Sequence, residues 1–418
     1  MEYVLFLTAT GILLFSVSFW VIRARELIDA LLRVPRIDPE GASATLEDPP
    51  LISVIVPAHN EQAVISHCLA SVLSQDYPRL ELIFVDDRSQ DLTVHVAEEV
   101  LRDRDNCKMV GVSNLPPGWT GKCHALDIGV RHAKGAWLAF LDADSRLHPA
   151  AVRRCYEEAS LRGINMVTLS PKFVLKTFWE KALQPTLASM ACILHPLGKV
   201  NDPASPVATA NGMFFLISRH AYDRIGGHRA VKGLAVEDIG IGKRVKAESL
   251  GLLFANGRRL LQTRMYSNLR GIIAGWTRIL GGSMNYDLGI ATRSMLANVL
   301  VSLPAFLCCL YFYLPLAREL WPGSWFVLPG LFAALSSVVS YFTWRLMGVS
   351  GLYSAMIPLG NLGAIAVYAM IVKKILYQDA LEWRGTSYET CRYRPTTLEP
   401  VSSAVCSASS TRTMKRTR

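Results

Sequence analysis

The sequence predicts an α/β domain, a mainly parallel twisted sheet with helices on both faces, with transmembrane helices at both ends of the chain. Short apolar strands alternate with amphipathic helical stretches across residues 48–264, which is the pattern of such a sheet. Long uncharged segments lie near both termini. The composition agrees, since 51% of the residues are hydrophobic and 19% are charged, against about 25% charged in ordinary globular domains.

The amino-terminal segment, residues 1–25, is predicted to be a transmembrane helix. Residues 3–22 carry no charge, and about twenty apolar residues are needed to cross a hydrocarbon core of roughly 30 Å. A cleaved signal peptide is the alternative, but the segment has neither a basic start nor a small-residue cleavage site. Arg23 and Arg25 follow the uncharged residues 3–22, so the positive-inside rule predicts that the next domain is cytoplasmic.

Residues 48–264 are predicted to form one domain with its ligand site at one edge of the sheet. Strands are expected at residues 51–57, 82–86, 108–112 and 137–142, and helices at residues 63–74, 93–102 and 122–133. In open α/β sheets, ligands bind at the carboxyl ends of the strands. The residues that follow each strand are therefore the first candidates for function.

Three of these strands end in polar, mostly acidic groups. The residues concerned are Pro57, Ala58, His59, Asn60 and Glu61, then Asp86 and Asp87, and finally Asp142 and Asp144. One residue separates Asp142 from Asp144, so both carboxylates can face one cleft and share a hard cation, Mg²⁺ or Mn²⁺. Such a cation completes its shell with water and substrate phosphate. This predicts a nucleotide-diphosphate substrate.

Two further charged positions have a functional and a structural interpretation. Lys122 can place a point charge near the phosphates, or it is a solvated lysine at a helix start. On spacing alone, Glu237 and Asp238 fit acidic residues that stabilise the amino terminus of the helix that follows. Asp87 can accept a hydrogen bond from a ring nitrogen of a base.

Five motifs occur together in an order that resembles the family 2 glycosyltransferases of GT-A fold. They are VIVPAHNE, VDDRSQD, GKCHALDIG, FLDAD and NGMFFLISRHAYDRIGGH, the last followed by Glu237 and Asp238. The resemblance runs from Ile52 to about Asp287. LPPGWTGK, the MY followed by GW between Met265 and Trp276, and the membrane segments look most similar to bacterial enzymes that act on carotenoid and hopanoid lipids.

The resemblance implies an inverting, metal-dependent transfer of a single sugar from a nucleotide-diphosphate sugar, with uridine preferred, to a lipid acceptor. Asp238 of the Glu237–Asp238 pair would be the general base, and Asp142 and Asp144 would hold the metal and the diphosphate. The substrate-binding residues would be Pro57, Ala58, Asn60, Glu61, Asp87, Lys122, Asp142, Asn211, Gly212, Trp276 and Arg278. For Trp276 and Arg278, anchoring at a membrane surface is an equal alternative.

The carboxyl-terminal third predicts further contact with the membrane. Residues 265–292 have the composition of an interfacial amphipathic helix, and residues 293–374 contain apolar stretches at 297–316, 325–341 and 353–372. The last stretch contains Pro358, Gly360, Asn361 and Gly363, which leaves a broken or re-entrant element open. Residues 375–418 form a basic tail that is predicted to be partly disordered.

Two topological signals conflict in this region. Three full spans after a cytoplasmic domain would place the tail outside, yet Lys373, Lys374, Arg384, Arg392 and Arg394 favour the cytoplasm. We therefore predict a multi-pass cell-membrane protein with an external amino terminus, a cytoplasmic domain and a cytoplasmic tail. One carboxyl-terminal apolar stretch would then not cross fully.

Other functions fit the sequence less well. A processive polysaccharide synthase would carry Gln or Arg, two residues, then Arg-Trp, where this chain has Gly275, Trp276, Thr277 and Arg278. A membrane scaffold or transporter with an inactive nucleotide-binding domain would not need the intact acidic positions. The net charge of +10 suits an anionic membrane or nucleotides. No zinc-ligand spacing or helix-turn-helix pattern indicates nucleic acid. The nine scattered cysteines indicate a reducing compartment.

Overall fold

The computed structural model describes residues 2–41, 48–313, 327–377, 381–383 and 386–388. From the amino terminus, the first elements are α1 (Glu2–Arg33), β1 (Ile52–Ala58), α2 (Ile65–Leu73), β2 (Leu80–Asp86), α3 (Thr93–Leu101), β3 (Cys107–Gly111), α4 (Gly121–His132), β4 (Trp137–Leu141), β5 (Ser145–Leu147), α5 (Ala151–Arg162), β6 (Met166–Ser170), β7 (Lys172–Phe173) and α6 (Phe178–Leu194). The predicted strands and helices agree with these to within two residues.

The second half is more helical. Its elements are β8 (Phe214–Ser218), α7 (Arg219–Arg224), α8 (Glu237–Ala247), β9 (Leu252–Asn256), β10 (Leu261–Thr263), α9 (Leu269–Ser283), α10 (Leu288–Tyr313), α11 (Val327–Leu346), α12 (Ile357–Tyr377), β11 (Leu381–Trp383) and β12 (Thr386–Tyr388). Short 3₁₀ turns lie at Leu197–Lys199, Gly227–Val231 and Gly351–Met356. We call the part from β1 to β10 the central domain.

The main sheet of the central domain has seven strands in the order β3-β2-β1-β4-β8-β6-β9. It is mixed, because β8 runs antiparallel to both of its neighbours while the other pairs are parallel. The chain enters β8 at the edge where β4 ends, since Phe214 pairs with Leu141. The residues just before β8 therefore lie at the same edge as Asp142.

Both faces of this sheet are covered, as the sequence predicts. Val54 and Val56 of β1 point to one core cluster, and Ile55 between them points to the other, because alternate side chains of a strand face opposite sides. Helices α2, α3 and α5 pack on the first face and α4, α7 and α8 on the second. The carboxyl edge remains open to receive a ligand. A small sheet of β5, β10 and β7 lies beside it.

The carboxyl-terminal helices depart from expectation at one place. α12 is continuous through Gly360, Asn361 and Gly363. Pro358 is its second residue. In the first turn of a helix the backbone N–H has no acceptor within the helix, so a proline is tolerated there. The expected interruption thus falls at the start of the helix, after the turn at Gly351–Met356. Among the described residues, only Gly351–Tyr377 forms a helix long and apolar enough to cross a membrane.

Part of the tail is ordered as an antiparallel hairpin. Leu381 pairs with Tyr388 and Trp383 with Thr386, which joins β11 to β12. Arg384, Arg392 and Arg394, and the predicted disordered end beyond 400, lie outside the described residues, as do residues 314–326 between α10 and α11.

Candidate functional site

A cleft opens at the carboxyl edge of β1, β2 and β4, where the acidic strand ends meet. Its lining residues are Pro57, Ala58, His59, Glu61, Asp87, Thr120, Lys122, Asp142, Ala143, Asp144, Met213, Leu234, Ala235, Glu237, Met265, Tyr266 and Arg278. Of the residues singled out from the sequence, six do not line it: Asn60, Asp86, Asn211, Gly212, Asp238 and Trp276.

Asn60 supports the wall of the cleft instead of lining it. Its φ of 56° is left-handed, a conformation that asparagine tolerates. Its backbone N–H donates to Ser89 Oγ at 3.0 Å, and its Oδ1 accepts from the N–H of Gln90 at 2.8 Å. These bonds join the turn after β1 to the turn after β2, so that Pro57 and Asp87 face the same space.

Asp87 is held in place by its neighbours at the rim of the cleft. It is 6% exposed, and its Oδ1 accepts from Arg88 Nε at 2.8 Å. Oδ2 packs so closely on the backbone of Gly121, the first residue of α4, that no side chain fits there. The absence of a Cβ at Gly121 therefore sets the position of this carboxylate.

Lys122 joins two carboxylates across the middle of the cleft. Its Nζ lies 2.7 Å from Asp142 Oδ1 and 2.7 Å from Glu237 Oε1. Burial would lower the pKa of the ammonium, but Asp142 and Glu237 outweigh that effect and raise it well above its usual range. Lys122 is therefore a permanent positive charge between the end of β4 and the start of α8.

Glu237 and Asp238 occupy adjacent positions, but their pKa values are shifted in opposite directions. Burial opposes ionisation of Glu237, yet the charge of Lys122 lowers its pKa below the ordinary value. Burial and the charge of Glu237 raise the pKa of Asp238 to about 6. Two carboxylates with separated pKa values are typical of acid–base sites, and the one poised near neutral pH suits a general base.

The segment before β8 positions Asp238. The N–H of Gly212 donates to Asp238 Oδ2 at 2.6 Å, and a Cβ on Gly212 would lie 2.9 Å from that oxygen and 3.2 Å from Lys122 Nζ. Asn211 has a local role, since its Oδ1 accepts from the N–H of Met213 at 3.1 Å. Gly212 thus lets the base and the ammonium approach each other.

Asp142 and Asp144 offer oxygen ligands suited to a divalent cation. Asp144 Oδ1 lies 3.4 Å from the hydroxyls of Ser145 and Thr263, and Asp142 is paired with Lys122. No group of three His, Cys, Asp or Glu side chains within the described part of the chain forms a closed metal site. Two carboxylates open to a cleft fit Mg²⁺ or Mn²⁺, whose remaining ligands are water and substrate phosphate.

This geometry agrees with the comparison to known proteins. Residues 53–226, from β1 to the end of α7, match the model of glycosyl transferase family 2. Within residues 53–226 the chain thus has the sequence pattern of a family 2 glycosyltransferase domain. The fold around it is an α/β fold of the GT-A type with a mixed sheet.

The family 2 domain has curated relatives in Staphylococcus aureus. The 4,4'-diaponeurosporenoate glycosyltransferase of strain USA300 is 28% identical over 233 residues, which cover 55% of this chain and 60% of the relative. The protein of strain MRSA252 gives the same values. The chain thus spans 60% of the length of the curated relatives that it matches.

Solved structures resemble the chain as well. A mannosyltransferase from Pyrobaculum calidifontis, in complex with GDP-Man and Mn²⁺, has a TM-score of 0.48 and 19% identity, covering 85% of this chain and 97% of the other. A glucosyl-3-phosphoglycerate synthase from Mycobacterium tuberculosis, with Mn²⁺ and UDP, has a TM-score of 0.38 and 23% identity, covering 56% and 80%.

Trp276 and Arg278 both lie on α9, but their side chains have different surroundings. Arg278 lines the cleft, and its Nη1 donates to the carbonyl of Ala235 at 2.8 Å. Trp276 is 4% exposed and packs with Ile272 and Leu280 in a buried cluster. Residues two apart on a helix do not share a face, so the spacing already separates them.

The apolar wall of the cleft has little signal in the sequence. Leu234 and Ala235 precede α8 in a loop without a motif, and Tyr266 is noticeable only through the resemblance. Gln184 Nε2 donates to the carbonyl of Tyr266 at 3.2 Å, and the backbone of Gly275 packs directly on the Tyr266 ring. In the sequence, the one feature that indicates the close approach of α9 to the Tyr266 ring is Gly275, a glycine within an amphipathic helix.

Proposed function

We propose that the protein is a membrane-bound, inverting glycosyltransferase that moves one sugar from a nucleotide-diphosphate sugar to a lipid acceptor at the cytoplasmic face. The observation that carries the proposal is the difference in pKa between Glu237 and Asp238. Lys122 keeps Glu237 ionised, while the pKa of Asp238 beside it is about 6. Glu237 lines the cleft together with three strand-end carboxylates, and Asp238 is the next residue along α8.

The donor would occupy the polar end of the cleft. Pro57, Ala58 and Glu61 would contact the nucleoside, preferentially uridine, with Asp87 accepting from the base. Lys122 and Arg278 bring two positive charges to the same cleft, which suits the diphosphate. Asn60 and Gly212 would act indirectly, through the turn and through the base.

The metal would be held by Asp144 together with Asp142 and the donor diphosphate. When bound, Mg²⁺ or Mn²⁺ supplies positive charge that stabilises the leaving diphosphate. Lys122 shares Asp142 in this structure. An ammonium beside the same carboxylate adds to the charge that this end of the cleft offers to phosphate oxygens.

Asp238 would take the proton of the acceptor hydroxyl as its oxygen attacks the anomeric carbon. The bond from that carbon to the phosphate oxygen breaks, the diphosphate leaves with the electron pair, and the configuration inverts. Gly212 and Ile239 donate their N–H groups to the carboxylate at 2.6 and 2.9 Å. These bonds fix its direction and support its ionised form.

The acceptor would approach along the apolar wall of the cleft. Leu234, Ala235, Met265 and Tyr266 form this wall, which fits the apolar part of a lipid better than a free sugar. The relatives in S. aureus are named for transfer to diaponeurosporenoate, a carotenoid-type lipid. We propose a polyisoprenoid, carotenoid, hopanoid or other membrane lipid of this character as acceptor.

Lipid extracts of cells with and without the protein, compared by mass spectrometry, test the proposal. We expect a lipid whose mass exceeds that of a precursor by one sugar residue, present only with the active protein. The Asp144→Asn variant is the matched control and should leave the precursor unmodified. A polymer would instead identify a processive synthase. Identical extracts from wild-type and control cells would refute transfer to a lipid.

A further inference from the structure

The start of α8 carries the proposed base but has no side-chain cap. Val236 is the N-cap residue, and no side chain accepts a hydrogen bond there. Helices commonly begin at Ser, Thr, Asp or Asn, whose side-chain oxygen binds the free N–H groups of the first turn. Glu237 and Asp238 follow directly after Val236. Their position therefore depends on the contacts that other elements make with this region.

Helix α9 makes two contacts with the loop 234–236, which leads into α8. Arg278 Nη1 donates to the carbonyl oxygen of Ala235 at 2.8 Å. One turn later, a Cβ on Gly282 would lie 3.1 Å from Val236 Cγ2 and 3.2 Å from Ala235 Cβ. Carbon atoms in ordinary contact are roughly 3.5–4.0 Å apart. A side chain at position 282 would therefore push the loop away from α9.

The residues that make these contacts lie on one face of α9. Gly275, Arg278 and Gly282 are spaced by three and four residues, which places them on the same side of the helix. The Tyr266 ring packs on the backbone of Gly275, and its hydroxyl accepts a hydrogen bond from Arg278. This face of α9 thus contacts both the apolar wall of the cleft and the loop before the base.

Another face of α9 is fixed in a large apolar cluster. Ile272, Trp276 and Leu280 pack there with residues of α6 and α12. Their spacing of four residues forms a continuous apolar stripe along the helix. A shift of α9 relative to the loop 234–236 would disturb this buried cluster. The helix is therefore a rigid support for the loop.

We infer that α9 positions the proposed base, Asp238, through the loop 234–236. Gly282 and Arg278 are the positioning residues, and the inference rests on the role of Asp238 in the proposed function. Arg278 also lines the cleft, where it can contact the donor, whereas Gly282 does not line the cleft. A substitution at Gly282 therefore separates the positioning of the base from substrate binding.

Gly282→Ala in the full-length protein tests this inference. Gly282 lies in α9 and has no positive φ, so alanine fits its backbone and the variant should fold. The added Cβ displaces the Val236 side chain by a few tenths of an ångström. A misplacement of 1 Å can lower a rate about 10²-fold. We therefore expect kcat to fall about threefold to tenfold, with the KM for the donor unchanged.

Gly330→Ala on α11 is the matched control and should keep the wild-type kcat, because open space surrounds Gly330. The Asp238→Asn background then shows whether the effect passes through the base. In that background Gly282→Ala should change the residual rate by less than about twofold, since the base is already absent. An equal fold-loss in both backgrounds would overturn the inference. A wild-type kcat in Gly282→Ala, or a loss confined to donor KM, would do the same.

Hydrogen exchange gives a second readout that does not depend on sugar transfer. In Gly282→Ala, peptides that cover residues 234–239 should exchange faster than in the wild-type protein, because their support from α9 is weakened. Peptides from β1 should exchange as before. Unchanged exchange across residues 234–239 would show that α9 does not hold the loop. Absence of transfer by the wild-type protein would instead refute the proposed function, and the exchange result would still test the support from α9.

Discussion

Lys122 determines how the acidic residues of the cleft share charge. It pairs with Asp142 and Glu237 at 2.7 Å each, and so one of the two carboxylates at the start of α8 stays ionised. That negative charge acts with burial to raise the pKa of the other, Asp238. A single ammonium therefore gives two neighbouring carboxylates different roles.

The pH dependence of transfer should report Asp238. Its pKa is about 6, above the ordinary value of about 3.9, and only the ionised form accepts a proton. kcat/KM should therefore fall about tenfold per pH unit below that value and stay level above it until another group titrates. A profile that remains flat down to pH 5, measured with initial rates on the same lipid substrate, would contradict this role.

Asp238→Asn should lower kcat by about 10² to 10⁴, the usual contribution of a general base, while donor affinity changes little. The amide keeps the size of the side chain and can still accept from Gly212, but it cannot take the proton. Steady-state kinetics and donor titration by calorimetry measure the two effects. An equal loss in donor affinity and turnover would assign Asp238 to donor binding instead.

Asp144→Asn should reduce transfer by at least about 10², comparable to the loss of one group that stabilises transition-state charge. The variant should still fold, because the amide keeps the size of the side chain and its oxygen can still accept from the hydroxyls of Ser145 and Thr263, which lie 3.4 Å from Asp144 Oδ1. The assay is the rate against Mn²⁺ concentration, with the exposed Asp105→Asn as surface control. Full activity of Asp144→Asn at low Mn²⁺ would remove it from the metal site.

The predictable part of the site follows from chain position. Asp87, Asp142 and Asp144 end strands that share one sheet edge, so period and spacing are enough to bring them together. The ion pair between Lys122 and Glu237 depends on how α8 packs against α4. No local sequence pattern predicts that packing. An aromatic residue such as Trp276 fits a membrane interface and a protein core equally well. Only the packing in the structure shows that it lies in the core.

At the scale of elements, the start of α4 sets the donor end of the cleft. Gly121 leaves room for the Asp87 carboxylate, and Thr120 caps the helix by accepting from the N–H of Cys123 at 3.3 Å. Helix and carboxylate thus share one small space. A change in the start of α4 or in the Asp87 carboxylate should therefore affect nucleoside binding first.

Gly121→Ala should raise KM for the donor about tenfold or more and leave kcat at saturating donor nearly unchanged. The added Cβ overlaps Asp87 Oδ2 and displaces that carboxylate, while Asp238 is untouched. Gly111→Ala is the matched control, because open space surrounds Gly111. If Gly121→Ala lowered kcat at unchanged KM, Asp87 would not be a donor contact.

Element boundaries follow the sequence more closely than strand directions do. The alternation in residues 48–264 predicts β1 to β4 and the helices between them, because each segment carries its own period. The reversal of β8 depends on where the chain returns after α6, which no local pattern records. That reversal matters, since it brings Asn211 and Gly212 to the edge where Asp142 lies.

At the scale of the whole molecule, the chain joins a polar reaction site to apolar helices on one side of the cleft. α6, α9 and α12 share one buried cluster, and α6 and α9 also contact cleft residues. The proposed lipid acceptor would reach the cleft along its apolar wall, beside these helices.

The most direct test of lipid glycosylation is the fate of a radiolabelled UDP-sugar incubated with membranes that contain the protein, Mn²⁺ and excess donor. We predict that label enters the organic phase and saturates at one sugar per acceptor lipid, and that Asp238→Asn membranes show only a small fraction of the initial rate. Label that remains in water as free sugar, or that accumulates in an insoluble polymer, would contradict single transfer to a lipid.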